Sequence, residues 1–473
     1  MPESTAEVGI IGLGVMGSNY ARNLAHKGIK TAVYNRTAEV TEQFLKEYKS
    51  EQIIGSTSLE ELIEKLDRPR KIIILVKAGA AVDAVIASLT PLLDKDDMII
   101  DFGNSHFDDT ERRGKDLESY GIKYWGCGIS GGERGALHGP SLMPGGPKES
   151  WPELKPILEA SAAKDFSGKP CVTYLGHGSA GNYVKMVHNG IEYGMMQMMA
   201  EAYEIMKTLL NMPAPAIGQI FKQYDRGKLS GFLFELATTV LKKEDEAAGN
   251  GYLIDKIQDK AAQKGTGSWT SIDGLEKGVA TPTITEAVIS RIISSKKELR
   301  QNLSKIYPSS QELENLDTDK FIDLLEDALY AGIICAFAQG MELIKTASEE
   351  NEWHTDLSEV VRIWQGGCII RTIVLSTFEK ELVKGPQDIH LLETAGVSSL
   401  IKGNLQGLRT VVEIATRNAI PTHGLSSALH YFDGMRQPRG NANFIQALRD
   451  GFGAHTYERT DQEGSFHTEW KTT

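Results

Sequence analysis

A short apolar strand followed at once by a glycine-rich turn is the feature that most constrains the fold of this chain. The run Val8–Ile11 leads into Gly12-Leu-Gly14-Val-Met-Gly17, after which a helical pattern begins. In such a unit the glycines allow a tight turn, close backbone approach to a pyrophosphate, and close packing of the helix. The helix N-terminus adds free N–H groups and partial positive charge. The segment predicts a dinucleotide-binding unit; the alternative is a glycine turn without a ligand.

Short β-type runs alternate with helical segments through the first third of the chain. The run 71–76 (KIIILV) is apolar without alternation, as expected for a strand buried on both faces of a parallel sheet. Strands that alternate with helices predict a doubly wound, Rossmann-like α/β domain. The predicted strands are Val8–Ile11, Thr31–Asn35, Lys71–Val76, Met98–Phe102, Lys123–Ile129 and Val172–Leu175.

Long segments with helical spacing dominate the rest of the chain. Segment 189–207 aligns without gaps on segment 327–345, with four identities in nineteen positions. This weak internal similarity indicates a duplicated helical unit. We therefore expect a Rossmann-like domain at 1–178, a large all-α helical domain at 179–436, and a short C-terminal tail at 437–473.

The residues after the second predicted strand indicate which dinucleotide is bound. NAD enzymes usually carry an acidic residue there, about 20 residues beyond the glycines, to bind the ribose 2′-hydroxyl. This chain has Asn35-Arg36-Thr37 instead. A carboxylate would repel the 2′-phosphate of NADP, whereas Arg36 can bind it through charge-assisted hydrogen bonds. The sequence favours NADP, and the alternative is that Arg36 is a solvated surface residue.

Four polar residues fall on one face of a predicted helix. Counted from Lys185, the offsets are three residues to His188, four to Asn189 and seven to Glu192. A lysine and a carboxyl group at this spacing could address two ends of one small substrate. The alternative is an exposed helix with a polar stripe, and periodicity alone does not separate the two.

Two further segments are suited to binding an anion. Asp101-Phe-Gly-Asn104-Ser follows one predicted strand, and Ser130-Gly131-Gly132 follows the next. Both lie where open α/β sheets bind their ligands, at the carboxyl ends of strands. Glycine-rich turns at these positions could also be connections only.

Composition and cysteine content exclude several other classes of protein. The net charge of −12 argues against broad nucleic-acid binding, which depends on lysine and arginine meeting phosphates. The four cysteines (Cys127, Cys171, Cys335 and Cys368) form no CxxC pair, so we expect neither a metal site nor disulfides. No signal peptide or membrane span is predicted, and a cytoplasmic location is expected.

Motifs along the whole chain resemble those of the decarboxylating 6-phosphogluconate dehydrogenases. The later motifs are the discriminating ones, because a shorter hydroxyacid dehydrogenase would share only the early ones. The motifs are GLGVMG (12–17), NRT (35–37), VKAG (76–79), DFGNS (101–105), GISGGERGALHGPSLMPGG (128–146), KMVHNGIEYG (185–194), QKGTGSW (263–269), WQGGCIIR (364–371) and ALRDGFGAHTYE (447–458).

The resemblance implies a cytoplasmic oxidoreductase of the oxidative pentose phosphate pathway and of gluconate utilization. It implies a homodimer whose tail reaches the partner subunit's active site, with NADP as cofactor and no metal. It assigns the cofactor to Gly12, Leu13, Gly14, Val15, Met16, Gly17, Asn35, Arg36, Thr37, Val76, Lys77, Ala78 and Asn104, with Glu133 near the nicotinamide. It assigns the substrate to Asn104, Ser130, Gly131, Gly132, Lys185, His188, Asn189, Glu192, Tyr193, Lys264, Thr266 and Arg291, with Arg449 and His455 of the partner subunit.

The resemblance also implies the chemical roles. Lys185 is expected to act as general base and Glu192 as general acid, with His188 and Asn189 beside them. The alternatives are a related hydroxyacid dehydrogenase that does not decarboxylate and a non-catalytic NADP-binding sensor or scaffold. Ser268 and Gly451 depart from the family pattern, in which many members carry lysine and an aromatic residue at these positions.

Overall fold

A computed structural model describes residues 5–247, 249–308, 316–386 and 388–470. The chain divides into two compact units, Met1–Ala428 and Leu429–Thr473. The large unit begins with a sheet and continues with helices, as the sequence predicts.

The sheet has seven strands in the order β3-β2-β1-β4-β5-β6-β7. All neighbouring pairs are parallel except β6 and β7, which are antiparallel. The isoleucines of β4 alternate between two faces: Ile73 joins one hydrophobic cluster, while Ile72 and Ile74 join the other. The run is therefore buried on both sides, as its continuous apolar pattern predicted. The strands are β1 Val8–Ile11, β2 Thr31–Tyr34, β3 Ile53–Gly55, β4 Lys71–Ile74, β5 Met98–Asp101, β6 Lys123–Ser130 and β7 Ser141–Gly145.

One predicted strand is wrong. Val172–Leu175 forms only an isolated bridge, between Leu142 and Val172, beside the edge strand β7. Leu175 N–H donates to Pro144 O at 3.0 Å, but Pro144 has no N–H with which to continue the ladder. The sequence interpretation also missed β3 and β7.

Helices cover both faces of the sheet. Seven α-helices belong to this first part of the chain, and each follows or connects strands. They are α1 Val15–His26, α2 Ala38–Glu47, α3 Leu59–Glu64, α4 Ala80–Leu89, α5 Phe107–Glu118, α6 Gly132–His138 and α7 Trp151–Ser161.

Two long helices form the centre of the second part of the chain. Helix α8 has 30 residues and helix α14 has 33, and the two pack against each other. They contain the two similar segments found in the sequence. No helix among the described residues is long and apolar enough to cross a membrane. The helices are α8 Ala180–Leu209, α9 Ala214–Tyr224, α10 Phe232–Val240, α11 Thr266–Glu276, α12 Pro282–Ser294, α13 Lys297–Ile306, α14 Thr318–Glu350, α15 Leu357–Ile363, α16 Leu375–Lys384, α17 Ala395–Arg417 and α18 His423–Met435.

The small unit is organised around one buried carboxylate. It contains helix α19 (Ala442–Gly453) and a two-stranded hairpin, β8 Tyr457–Glu458 and β9 Ser465–Phe466. Asp450 is 1% exposed and accepts hydrogen bonds from four donors. These donors are Thr456 N, His467 Nδ1, Thr468 N and Trp470 Nε1, at 3.0, 2.8, 3.0 and 2.8 Å.

Candidate active site

The turn between β1 and α1 has the geometry of a pyrophosphate site. Gly12 has a φ of 99°, and a Cβ there would lie 2.5 Å from Leu75 O. A Cβ on Gly17 would overlap Gly12 O, whereas a Cβ on Gly14 would meet nothing within 4 Å. The first and third glycines are thus required by packing, and the second borders open space. This division fits a ligand that approaches the backbone at Gly14.

The end of β2 is fixed against this turn. Asn35 Oδ1 accepts a hydrogen bond from Leu13 N at 3.1 Å. Arg36 is exposed, and within the described residues its guanidinium has no hydrogen-bond or ion-pair partner. The Arg36 guanidinium thus follows a residue that is bonded to the glycine turn, and it is available to bind the 2′-phosphate of a cofactor.

Lys185 is buried in α8 against a glycine of β6. The side chain is 5% exposed, and a Cβ on Gly128 would overlap the Lys185 Cβ atom. Burial lowers the pKa of the Lys185 ammonium, while the nearby Glu192 carboxylate opposes this effect. The structure thereby favours a lysine that can lose its proton.

His188 connects Lys185 to two loops. Its Nδ1 lies 3.4 Å from Lys185 Nζ and 2.9 Å from Asn189 Oδ1. Its Nε2 lies 3.0 Å from Ser130 Oγ and 2.9 Å from Cys368 Sγ. Burial, followed by the Lys185 charge, keeps the pKa of His188 well below its ordinary value, so the ring is neutral. Lys185 and His188 are both buried, so the alternative of an exposed polar stripe is wrong.

Glu192 and Tyr193 continue the cluster towards a second cation. Burial raises the pKa of Glu192, against the effects of Lys185 and Arg291. The Arg291 guanidinium lies 3.4 Å from the centre of the Tyr193 ring and donates to Ala262 O at 3.1 Å. This part of the site therefore combines a carboxyl group whose acid form burial favours with a positive charge.

The start of α11 joins the same cluster. Thr266 is buried, and its Oγ1 accepts from Asn189 Nδ2 at 3.4 Å. Lys264 is exposed, and no contact within the described residues joins its side chain to the cluster. The Ser268 hydroxyl donates to Gln263 Oε1 at 3.2 Å, within the same loop.

The turn after β5 presents Asn104 to solvent and is attached to α8. Asn182, in the first turn of α8, donates to Gly103 O at 3.3 Å. Ser130, the last residue of β6, accepts from Ile369 N at 3.3 Å. Residues at the carboxyl ends of two neighbouring strands are thus fixed to the helical part of the chain.

The remaining predicted site residues occupy the rims of these loops or the small unit. Val76 and Ala78 are half-buried and Lys77 is exposed, in the turn after β4. Met16 is half-buried at the start of α1, and Glu133 is exposed on α6. Arg449 and His455 are exposed in the small unit, and Arg449 Nη1 donates to Gln446 Oε1 at 3.0 Å.

The sequence interpretation missed Cys368 as a neighbour of His188. It expected neither a metal site nor a disulfide at this cysteine, and burial raises the Cys368 pKa to about 12. The two residues are 180 positions apart, so no local pattern joins them. The WQGGCIIR motif was the available signal, because Cys368 lies within it.

A glycine turn for a dinucleotide and a buried lysine in a polar cluster define a dinucleotide-dependent oxidoreductase. The protein-family model described as the NAD binding domain of 6-phosphogluconate dehydrogenase matches residues 7–176. The protein-family model described as the 6-phosphogluconate dehydrogenase C-terminal domain matches residues 181–470. The chain belongs to the 6-phosphogluconate dehydrogenase family.

Similar proteins match over nearly their full lengths. The NADP(+)-dependent, decarboxylating 6-phosphogluconate dehydrogenase of Bacillus subtilis is 46% identical over 469 residues, 99% of each chain. The decarboxylating enzyme of Lactococcus lactis is 44% identical over 468 residues, again 99% of each. A solved structure of Plasmodium falciparum 6-phosphogluconate dehydrogenase aligns with a TM-score of 0.94 and 42% identity, covering 98% of this chain and 100% of that one. The predicted fold class is thereby confirmed.

Proposed function

We propose that this chain oxidises and decarboxylates 6-phospho-D-gluconate to D-ribulose 5-phosphate and CO2, reducing NADP to NADPH. The buried Lys185, beside His188 and within the electrostatic influence of Glu192, is the observation that carries the proposal. Support comes from the full-length relatives, whose names specify decarboxylation, and from the Plasmodium structure, whose description gives NADP+ as cofactor and 6-phosphogluconate as substrate.

The proposed substrate site follows the polar cluster from end to end. Asn104, Ser130, Gly131 and Gly132 would bind the carboxylate half of the sugar acid, with His188 and Asn189. Tyr193, Lys264, Thr266 and Arg291 would surround the phosphate, with Arg449 and His455 of the partner subunit. The Arg291 guanidinium over the Tyr193 ring supports this assignment, because a fixed cation suits a phosphate.

Oxidation at C3 requires removal of the hydroxyl proton. Neutral Lys185 takes that proton as general base, and the lowered pKa that burial produces keeps the neutral form accessible. Bound NADP supplies the hydride acceptor. The turn formed by Gly12, Gly14 and Gly17 would hold its pyrophosphate, with the backbone at Gly14 facing the ligand, and Met16, Lys77 and Glu133 would border its nicotinamide.

Decarboxylation follows from the position of the new carbonyl group. The ketone at C3 is β to the carboxylate, so the electrons of the breaking C–C bond flow towards the carbonyl oxygen. Protonated Lys185 donates to that oxygen, which gives an enediol and CO2. Glu192, whose acid form burial favours, then delivers a proton to C1 of the enediol, while neutral Lys185 takes the proton of the C2 hydroxyl, which gives ribulose 5-phosphate.

Coupled product formation tests the proposal. Purified protein is mixed with 6-phosphogluconate and NADP, while NADPH absorbance and released CO2 are followed together. Equal amounts of the two products are expected. NADPH without CO2 would leave a dehydrogenase without the decarboxylation step, and neither product from a folded protein that binds NADP would overturn the proposal.

The cofactor preference has its own test. Replacing Arg36 with alanine is expected to weaken NADPH binding by about tenfold to a hundredfold, because the 2′-phosphate loses a charge-assisted partner. NADH binding, which involves no such phosphate, is expected to change little. Fluorescence titration measures both, and Lys46→Ala, an exposed cation of α2, is the matched control. NADPH affinity equal to that of the wild type would mean that another group binds the phosphate.

We also propose the organisation predicted from the sequence: domains at 1–178, 179–436 and 437–473, a homodimer, and a cytoplasmic location. Large apolar side chains exposed on three consecutive helices support a dimer, because contiguous apolar surface marks association sites. Four buried, unpaired cysteines support a reducing compartment. The exposed apolar residues are Ile272 and Leu275 on α11, Ile289, Ile292 and Ile293 on α12, and Leu299, Leu303 and Ile306 on α13.

A further inference from the structure

A buried arginine joins the turns that follow two neighbouring strands. Arg113, on α5, is 2% exposed and takes no part in the chemistry above. Its Nη2 donates to Gly79 O at 3.2 Å, in the turn after β4. Its Nη1 donates to Ser105 Oγ at 3.0 Å, in the turn after β5. One guanidinium thus bridges two loops that lie side by side at the carboxyl ends of the sheet.

Three carboxylates lie near the buried charge: Asp109, at 3.9 Å, is the most distant, and the other two fix its orientation. Asp83, in the first turn of α4, accepts from Arg113 Nε at 2.8 Å. Asp101, at the end of β5, lies 3.5 Å from Nη1 and also accepts from Gly103 N at 2.8 Å. A planar fork with five donors can reach these acceptors together, whereas an ammonium group acts as a single point charge.

The turn after β5 is held from its other side by the catalytic helix. Asn182 donates to Gly103 O at 3.3 Å and accepts from Thr110 Oγ1 at 3.0 Å. A Cβ on Gly126 would overlap Asn182 Oδ1, so the contact leaves no room for adjustment. The residues on either side of Asn104 are therefore both held, Gly103 through its backbone oxygen by Asn182 and Ser105 through its side chain by Arg113.

We propose that Arg113 is a positioning residue that sets the spacing between Lys77, on the nicotinamide side, and Asn104, which faces both cofactor and substrate. This inference rests on the proposed function, because those two roles belong to it. Arg113 touches neither ligand. Its effect reaches them through the backbone of the two turns.

Arg113→Lys tests the inference, because it retains the charge and removes the fork. We expect the KM values for NADP and for 6-phosphogluconate to rise, by up to about tenfold to a hundredfold, because ligand binding must then order the two turns that the lost charged hydrogen bonds had held. The inhibition constant of 2′,5′-ADP, which occupies only the Arg36 end of the site, is expected to stay unchanged. A general weakening of the domain would raise that constant as well.

Arg112→Lys is the matched control. Arg112 pairs with the same Asp83, at 2.9 Å, but it is half exposed and contacts neither turn. Wild-type kinetics are expected. If Arg113→Lys does not fold, Ser105→Ala removes the contact of Arg113 with the second turn, together with the bond from Ser105 to Asp101, and leaves the contact with Gly79 in place; a rise in both KM values is again expected.

Three outcomes would overturn the inference: kinetics of Arg113→Lys equal to those of Arg112→Lys, a parallel rise in the 2′,5′-ADP constant, or wild-type KM values in Ser105→Ala. These outcomes can be distinguished from failure of the proposed function, in which case the wild-type protein itself would not turn over 6-phosphogluconate.

Discussion

Replacing Lys185 with methionine is expected to abolish useful turnover, lowering kcat by roughly a hundredfold to ten-thousandfold, the usual contribution of a general base. Methionine fills similar space against Gly128 but cannot accept the hydroxyl proton or return it to the carbonyl oxygen. Both halves of the proposed reaction therefore lose the same group. NADPH affinity is expected to remain near that of the wild type, because no contact joins Lys185 to the glycine turn.

The measurement is steady-state kcat with fluorescence titration of NADPH on the same preparations. Lys207→Met is the matched control, because Lys207 lies on the same helix and is exposed. Activity of Lys185→Met near that of the wild type would remove Lys185 from the mechanism. Loss of NADPH binding would instead point to a folding defect.

The second large effect is expected from replacing Glu192 with glutamine. Glutamine keeps the shape and neutrality of a protonated carboxyl group but cannot deliver its proton. We expect kcat to fall by about a hundredfold or more. Because burial raises the pKa of Glu192, the acid form is present at low pH and is lost as the pH rises through that pKa. The alkaline decline of kcat should therefore disappear in the variant.

On the acidic side of the same profile, kcat is expected to rise with pH, because Lys185 must be neutral to act as the base. The two groups influence each other, so the apparent pKa values describe the pair. Glu204→Gln, on an exposed part of α8, is the matched control. An unchanged kcat and an unchanged alkaline limb in Glu192→Gln would mean that C1 is protonated by another group.

Most of the sheet could be predicted because its strands are locally apolar. The run 71–76 contains the pattern of a buried parallel strand, and β4 lies within it. β3 has only three residues, and β7 contains Pro144, so neither has a local signature. The incorrect strand at 172–175 has a good local pattern, and only its proline-containing neighbour prevents pairing.

The site was predictable as a helix face but not as a buried centre. Offsets of 3, 4 and 7 from Lys185 define the face, yet periodicity does not say what covers it. The cover comes from Gly128, Ser130 and Cys368, on segments distant in sequence from His188. Contacts between residues so far apart depend on how the strands and loops pack against α8, and a local sequence pattern does not contain that information.

The closed arrangement around Asp450 has a consequence for how the tail can associate. Burial acts to raise the pKa of this carboxyl group, but its donors, His467 first among them, hold the pKa well below its ordinary value, so it stays ionised. Three of the four bonds to this carboxylate tie the chain's last described residues, 467–470, back to α19. A segment ordered in advance gives up little conformational entropy on docking. In the proposed homodimer, the residues at 467–470 would therefore raise the affinity with which Arg449 and His455 engage the partner subunit, although they need not touch it.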